Sequence, residues 1–482
     1  MSTLRRVLRT SGLVLAGQLF ARATGAVVFF SMARLLGKTE LGRFSFVAAY
    51  VAIFQVMADL GLQQIVVREV ARGKSDGAST VFNAVMMRLV FGSIACTLIL
   101  TLLPWVRSDD HSGEVRWMVV AGCVWILSYS VQPLGAVFKA RMRMDMPVMA
   151  NAIGNTSYVV LAVIAMLLVR RAWAPWMALV VSSVVPGLAI GLAGARMLVP
   201  DPRPSLASLR SLLSSSWPLA MNSFLMVIYN RVDQVMIQHY RGATELAGYA
   251  AAVKLMELWN VVPLSLMAAI FPLLARYAGD QRDKYRDVLR RTIQVLMIVI
   301  VGAVPFVVRY GGWGLGVIYG PAFVSAHKTL VILTAAELFL YLLYVFRDAF
   351  VSEGRERLVL VFAASTMAVN VVLNVILIPR MGIEGAAWAT LCALACVLIL
   401  AVAIREVRYY GRLALAALVR PTAAAAVSAS VLWLLRERPV IAFVAALLAY
   451  ALALLAVRTF DRRDLELARE VLRRRSPPSP VS

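Results

Sequence analysis

The stretch Ser216–Trp259, SWPLAMNSFLMVIYNRVDQVMIQHYRGATELAGYAAAVKLMELW, decides the fold. It reads as one apolar helix, a tight polar turn and the start of a second apolar helix. The first helix carries Asn222, Arg231 and Asp233 inside its apolar span, and the second carries Lys254 and Glu257. Ionisable groups at membrane depth are costly and face a protein-lined or watery interior. The turn has an echo near the N-terminus. Gly37-Lys38-Thr39-Glu40-Leu41-Gly42-Arg43-Phe44 resembles Gly242-Ala243-Thr244-Glu245-Leu246-Ala247-Gly248-Tyr249. Both turns lie between the first and second apolar helices of a half, so one helical unit is used twice, with charges in its middle.

Apolar runs of about 20 residues, the length that spans a bilayer core as a helix, recur along the chain on both sides of this stretch. Of its 482 residues 61% are hydrophobic, which places it among all-α polytopic membrane proteins. A β-barrel would show short alternating segments instead. The net charge of +23 does not point to nucleic acid, because most Lys and Arg fall in loops on one side, as the positive-inside rule expects.

The pattern gives 14 spans: 11–35, 41–65, 78–103, 115–138, 147–169, 173–195, 212–240, 246–275, 292–308, 329–350, 358–378, 383–404, 415–435 and 440–457. Basic loops (Arg68, Arg72 and Lys74; Lys139, Arg141 and Arg143; 276–291; Arg405, Arg408 and Arg412) are read as cytoplasmic, with both termini inside. The loop with Asp109, Asp110 and Glu114 is read as outer; Arg170 and Arg171 are a local breach of the rule. The proline-rich segment 200–211 lacks backbone donors and separates an N-terminal lobe, 1–199, from a C-terminal lobe, 212–405. Two further helices occupy 406–458, and 459–482 is a basic, then Pro- and Ser-rich cytoplasmic tail. The repeat extends further: Val137-Phe138-Lys139 and Val345-Phe346-Arg347 each precede a basic inner turn and an Asn-bearing helix, with Asn151 and Asn155 or Asn370 and Asn374. Parallel repeats of this kind place a substrate site at their interface.

These residues carry a family resemblance. Arg34-Leu35-Leu36-Gly37, Leu41-Gly42-Arg43-Phe44-Ser45, Asp59-Leu60-Gly61-Leu62 and Val67-Arg68-Glu69 resemble the N-terminal pattern of the Wzx-type oligosaccharide flippases. Pro218-Leu219, Arg231-Val232-Asp233-Gln234-Val235-Met236-Ile237 and Gly248-Tyr249-Ala250-Ala251-Ala252-Val253-Lys254-Leu255 resemble their mid-chain pattern, and Arg347 with Gly354-Arg355 their late inner turn. The resemblance implies the fold of the multidrug/oligosaccharidyl-lipid/polysaccharide exporter superfamily: two six-helix lobes around a central cavity, here with two C-terminal helices. It also implies alternating-access movement of polyprenyl-pyrophosphate-linked oligosaccharide to the outer leaflet of a bacterial or archaeal cell membrane. Membrane lipids, a polysaccharide polymerase and glycosyltransferases are the partners implied. A cation-coupled multidrug exporter and a peptidoglycan-precursor flippase of the same superfamily are the alternatives.

Arg22, mid-span with no acid near it in sequence, is the first candidate for a cationic cavity wall that receives pyrophosphate through the guanidinium fork. Arg88, Arg231 and Lys254 join it. For Arg88, snorkelling to the inner surface is the competing reading. Asp233 and Lys254 lie at similar depth on neighbouring helices, as do Arg231 and Glu257, so structural pairing competes with function there. Asp233, Glu257 and Glu337 are the coupling-ion or proton candidates. Asn222 and Asp233 share a helix face. Pro133, Pro186, Pro218, Pro263, Pro272 and Pro305 mark kinks or hinges, and Trp105, Trp117, Trp173 and Trp176 interfacial anchors. Cys392 and Cys396 share a face without a third ligand, so neither they nor Cys96 and Cys123 form a metal site. His111, His239 and His327 are scattered. No catalytic constellation or Gly-rich phosphate loop appears, so the reading is a transporter rather than an enzyme, without cofactor.

Overall fold

The computed structural model describes residues 3–59, 61–71, 77–106, 113–136, 138, 145–197 and 206–457, with side chains of the first helix from Ala16 onward. The proline linker, the acidic residues Asp109 and Asp110, His111, the basic residues Lys139, Arg141 and Arg143, and the tail lie outside the described residues, as do the side chains of Arg68 and Asn222.

The described elements are helices: α1 Thr3–Leu35, α2 Lys38–Asp59, α3 Leu62–Ala71, α4 Gly77–Leu102, α5 Glu114–Ser128, α6 Asp145–Val169, α7 Trp173–Ala195, α8 Leu206–Arg241, α9 Ala243–Trp259, α10 Val261–Tyr277, α11 Arg282–Tyr319, α12 His327–Ser352, α13 Glu356–Ala403, α14 Arg408–Leu434 and α15 Pro439–Ala456. Eleven of the described segments are long and apolar enough to cross a membrane. That number differs from the expected 14 for traceable reasons. The 48-residue α13 counts once although it is broken at Gly382 (φ 59°, ψ −134°). α1 and α8 are not among the eleven, because each carries residues whose side chains lie outside the described ones.

Several expected spans are redrawn. The second ends at Asp59, and Gly61 (φ 66°) starts the separate α3. The fourth stops being α-helical at Ser128 and continues as a 3-10 segment, Tyr129–Gly135, with Pro133 inside. The ninth is longer at both ends, because the charged segment before it and the glycine-bearing segment after it are helical in α11. Glycine costs a helix about 0.5–1 kcal/mol relative to alanine, but Leu315 and Tyr319 are fully buried there and anchor the last turns.

The chain groups into two compact units. Unit 1 comprises Met1–Lys254, Leu315–Thr329 and Ala363–Ala389; unit 2 comprises Leu255–Gly314, Leu330–Phe362 and Thr390–Ser482. In unit 1, Tyr319 stands edge-on to Phe29 and Phe30 and donates its hydroxyl to Ala251 O at 3.0 Å. Trp176 is no interfacial anchor: it is fully buried and donates Nε1–H to Met118 O at 2.7 Å, a buried indole needing such an acceptor. Trp105 and Trp117 are exposed, as anchors are. Unit 2 is built on Leu289, Ile293, Leu296, Met297, Tyr341, Phe346 and Phe350. Large apolar side chains such as Ile153, Ile164 and Leu168 on α6 and Val444, Leu448 and Leu452 on α15 are exposed. Surface this apolar suits contact with hydrocarbon rather than water.

Candidate functional site

The geometry of the two repeated turns is fixed by backbone. Gly37 and Gly242 both adopt left-handed conformations, φ 84° and 82°, which only glycine takes at little cost. Each ends one long helix and starts the next, and the two turns meet. Thr39 Oγ1 lies 3.2 Å from Thr244 Oγ1, and α2 approaches α9 so closely at Gly42 that a Cβ there would stand 1.8 Å from Ala243 O. The turns therefore share one side of the membrane, as a parallel repeat requires. Each copy's glutamate also reaches a second turn. Glu40 accepts the Ala172 N–H at 2.6 Å, and Glu245 lies against Gly382, where an added Cβ would be 2.5 Å from its Oε2. Arg171, the breach of the charge rule, approaches Glu40 and Glu114 at 4.0 and 3.9 Å, so acidic neighbours offset its charge. Arg34 Nε donates to Ile318 O at 2.9 Å, Lys38 Nζ to Ser325 Oγ at 2.9 Å, and Arg241 to Ile378 O and Pro379 O.

Unit 1 encloses a cavity of about 460 Å³. Its polar wall is made by Gln18 of α1, Gln63 of α3, Gln132 of the 3-10 segment, and Asn151, Asn155 and Tyr158 of α6. Ser182 and Ser183 of α7 add hydroxyls. Among the described residues no carboxylate lines it. A wall of amides and hydroxyls offers both donors and acceptors without fixed charge. That composition suits a hydroxyl-rich ligand.

The cationic candidates separate. Arg88 is 3% exposed and is ion-paired to Asp59, while its Nη1 donates to Tyr129 O at 3.0 Å and to Gln132 Oε1 at 3.1 Å. It therefore neither snorkels nor presents a bare guanidinium; it braces one amide of the cavity wall from behind. Arg22 does not line the cavity. It stands one helical turn beyond Gln18, which does, on the same stripe of α1, and its side chain is exposed with no ion pair among the described residues. Lys254 Nζ lies over the Phe29 ring at 5.9 Å, within cation–π range. Arg231 is half-buried.

Asp233, 6% exposed, receives the hydroxyl of Tyr249 and the backbone N–H of Gln234, the latter at 2.7 Å. Glu337 belongs to unit 2, where it is 6% exposed; Asn260 and Glu257 are beside it, and its Oε2 finds no hydrogen-bond partner among the described residues. Two carboxyls and an amide thus converge in unit 2. The sequence offers Glu337 no nearby partner; its neighbours arrive from the break between α9 and α10. Gln18, Gln63 and Gln132 are the site residues that sequence reasoning passed over. Their signal is an uncharged amide inside an apolar run, weaker than a charge because an amide is less costly to bury.

The family model described as "Polysaccharide biosynthesis protein" matches residues 7–278, and the model described as "MatE" matches residues 218–376. The probable low-salt glycan biosynthesis flippase Agl15 of Haloferax volcanii is 22% identical over 367 residues, covering 76% of this chain and 75% of that protein. The probable flippase AglR of the same organism is 23% identical over 412 residues, covering 82% and 83%. Among solved structures, a lipid II flippase MurJ in an inward closed conformation superposes with TM-score 0.73 at 12% identity, over 93% of this chain and 98% of that one. An inward-facing multidrug resistance MATE family transporter gives TM-score 0.64 at 14% identity, over 83% and 94%. At such identities these structures share the fold.

Proposed function

The chain belongs to the polysaccharide biosynthesis protein family, whose model covers more than half of it, and from that premise we propose that it is a flippase for polyprenyl-pyrophosphate-linked oligosaccharide. It carries the lipid-linked glycan from the cytoplasmic to the outer leaflet by alternating access of lobes 1–199 and 212–405, and 406–458 adds two helices. The observation that carries this reading is the amide- and hydroxyl-lined cavity of unit 1, with Arg22 one turn from Gln18 on the same helix stripe. Sugars are bound through hydroxyls, and such a wall matches them; a guanidinium nearby matches a pyrophosphate. The names of the Haloferax volcanii relatives, both flippases, support it. A multidrug exporter of cations is less well served, because no carboxylate among the described residues lines this cavity.

In this scheme Arg22, Arg231 and Lys254 attract the pyrophosphate, and Arg88 holds Gln132 in place. Asp233 and the Glu257–Glu337 pair are the coupling-ion or proton sites. Both termini face the cytoplasm, and a polymerase and glycosyltransferases act on either side of the step.

The experiment is surface-glycan export in cells lacking the native protein, with membrane abundance measured in parallel. Arg22→Glu repels phosphate and abolishes export; Arg22→Lys keeps the charge, loses the planar fork and gives partial export. Normal export by Arg22→Glu at normal abundance removes Arg22 from the substrate site.

A further inference from the structure

Unit 2 holds a cavity of about 280 Å³ that the translocation scheme does not use. Three chain breaks converge on it. Ala278 follows α10, and Arg282, Tyr285 and Arg286 come from the first turns of α11. Glu353 and Arg355 come from the turn after α12, and Glu406, Tyr409 and Tyr410 from the turn into α14. Its floor is hydroxylic: Tyr285 and Tyr410 are 5% and 4% exposed, and the Tyr285 hydroxyl lies 3.2 Å from Ala349 O, 3.3 Å from Ser352 Oγ and 3.5 Å from the Tyr410 hydroxyl.

The charges around it are not evenly spent. Glu353 is engaged by Arg355 at 3.6 Å, and Arg355 also donates to Glu406 O at 3.5 Å. The Arg286 guanidinium lies over the Tyr409 ring, 5.1 Å from its centroid, within cation–π range, and carries no ion pair among the described residues. Arg282 has no ion pair among the described residues. By contrast Arg290 and Arg291, one to two turns along α11, are occupied by Asp287 at 3.2 and 2.9 Å. Three guanidiniums, of Arg282, Arg286 and Arg355, thus surround a space of headgroup size that also carries the carboxylates of Glu406 and of Glu353, the latter hydrogen-bonded to the hydroxyls of Tyr285 and Tyr410. The apolar run of α11 starts at Thr292, about 9 Å of helix rise from Arg286. That distance is comparable with the headgroup layer, which adds about 5–8 Å on each side of the hydrocarbon core. Tyr409, at the cavity, and Leu415, further along α14, expose apolar surface where acyl chains would lie.

We propose that this cavity binds the phosphate of an anionic phospholipid headgroup in the leaflet facing the basic loops, as a lipid site separate from the translocated cargo. Basic pockets between membrane helices on the cytoplasmic side recognise such headgroups, and a guanidinium fork adds geometry to charge.

The test uses the purified full chain in detergent, with phosphatidylglycerol, phosphatidylcholine or glycerol 3-phosphate added, and lipid adducts counted by native mass spectrometry. Phosphatidylglycerol is expected to be retained at about tenfold lower concentration than phosphatidylcholine, equivalent to about 1.4 kcal/mol. Arg282→Gln with Arg286→Gln abolishes that preference. Arg282→Lys with Arg286→Lys keeps part of it, and serves as the readout should the glutamine pair fail to give monodisperse protein. Lys284→Gln with Arg290→Gln removes the same net charge outside the cavity and leaves the preference intact. An equal loss in this control, or no preference in the unaltered chain, overturns the site. Competition by glycerol 3-phosphate at the lipid's own concentration overturns the lipid assignment and marks a soluble-phosphate site.

Discussion

Thr39 and Thr244 face each other across 3.2 Å, hydroxyl to hydroxyl, and they are the same residue of two copies of one turn. The two turns thus touch each other at corresponding residues. The backbone approach at Gly42 and Ala243 leaves no room for a side chain between them, and this closeness yields the first prediction.

Replacing Gly42 with leucine forces α2 and α9 apart. Overpacking of this kind costs about 1–3 kcal/mol, or roughly a 5- to 150-fold shift between states in which the turns meet and states in which they part. Thr39→Cys with Thr244→Cys should form a disulfide readily in the otherwise unaltered chain and poorly with Gly42→Leu added, and glycan export should fall with it.

Removing Asp59 leaves the Arg88 guanidinium buried with its charge unmatched. Breaking a buried pair from one side costs about 3–5 kcal/mol; Asp59 is itself 41% exposed, so the lower end or less applies. Asp59→Ala should lower the unfolding temperature more than the double change Asp59→Ala with Arg88→Met, because the second change removes the stranded charge. A thermal-shift double-mutant cycle measures the coupling, and strict additivity would show that the pair does not act as a unit.

Gln18→Leu tests the cavity wall. The change keeps the volume but removes both donors and the acceptor. Loss of a hydrogen bond to a bound sugar costs about 0.5–1.5 kcal/mol, so export should drop roughly 2- to 12-fold at unchanged abundance. Exposed Leu19, one residue along on a different face, serves as the control through Leu19→Gln.

Tyr249→Phe removes the hydroxyl that donates to Asp233. Hydrogen bonds to charged groups contribute about 1.5–3 kcal/mol, so the variant should unfold at lower temperature. If Asp233 couples transport to an ion, the ion dependence of export should also move; stability that drops with no change in that dependence assigns Tyr249 a structural part only.

Class, approximate span positions and the internal repeat are legible in the residues alone. Hydropathy along a helix depends only on the residues in that helix and the lipid around it. Left-handed turns at Gly37 and Gly242 likewise depend on local backbone chemistry. What surrounds each charge follows only from the packed fold. Arg88 finds Asp59 on another helix, Glu337 finds Glu257 and Asn260 across a helix break, and polar side chains from five segments line one cavity. Even α13, with its two spans merged across Gly382, takes its break beside Glu245, 137 residues earlier in the chain. The physical reason is the same in each case. Periodicity fixes which residues share a face of their own helix, but which face meets which neighbour follows from packing between helices far apart in sequence.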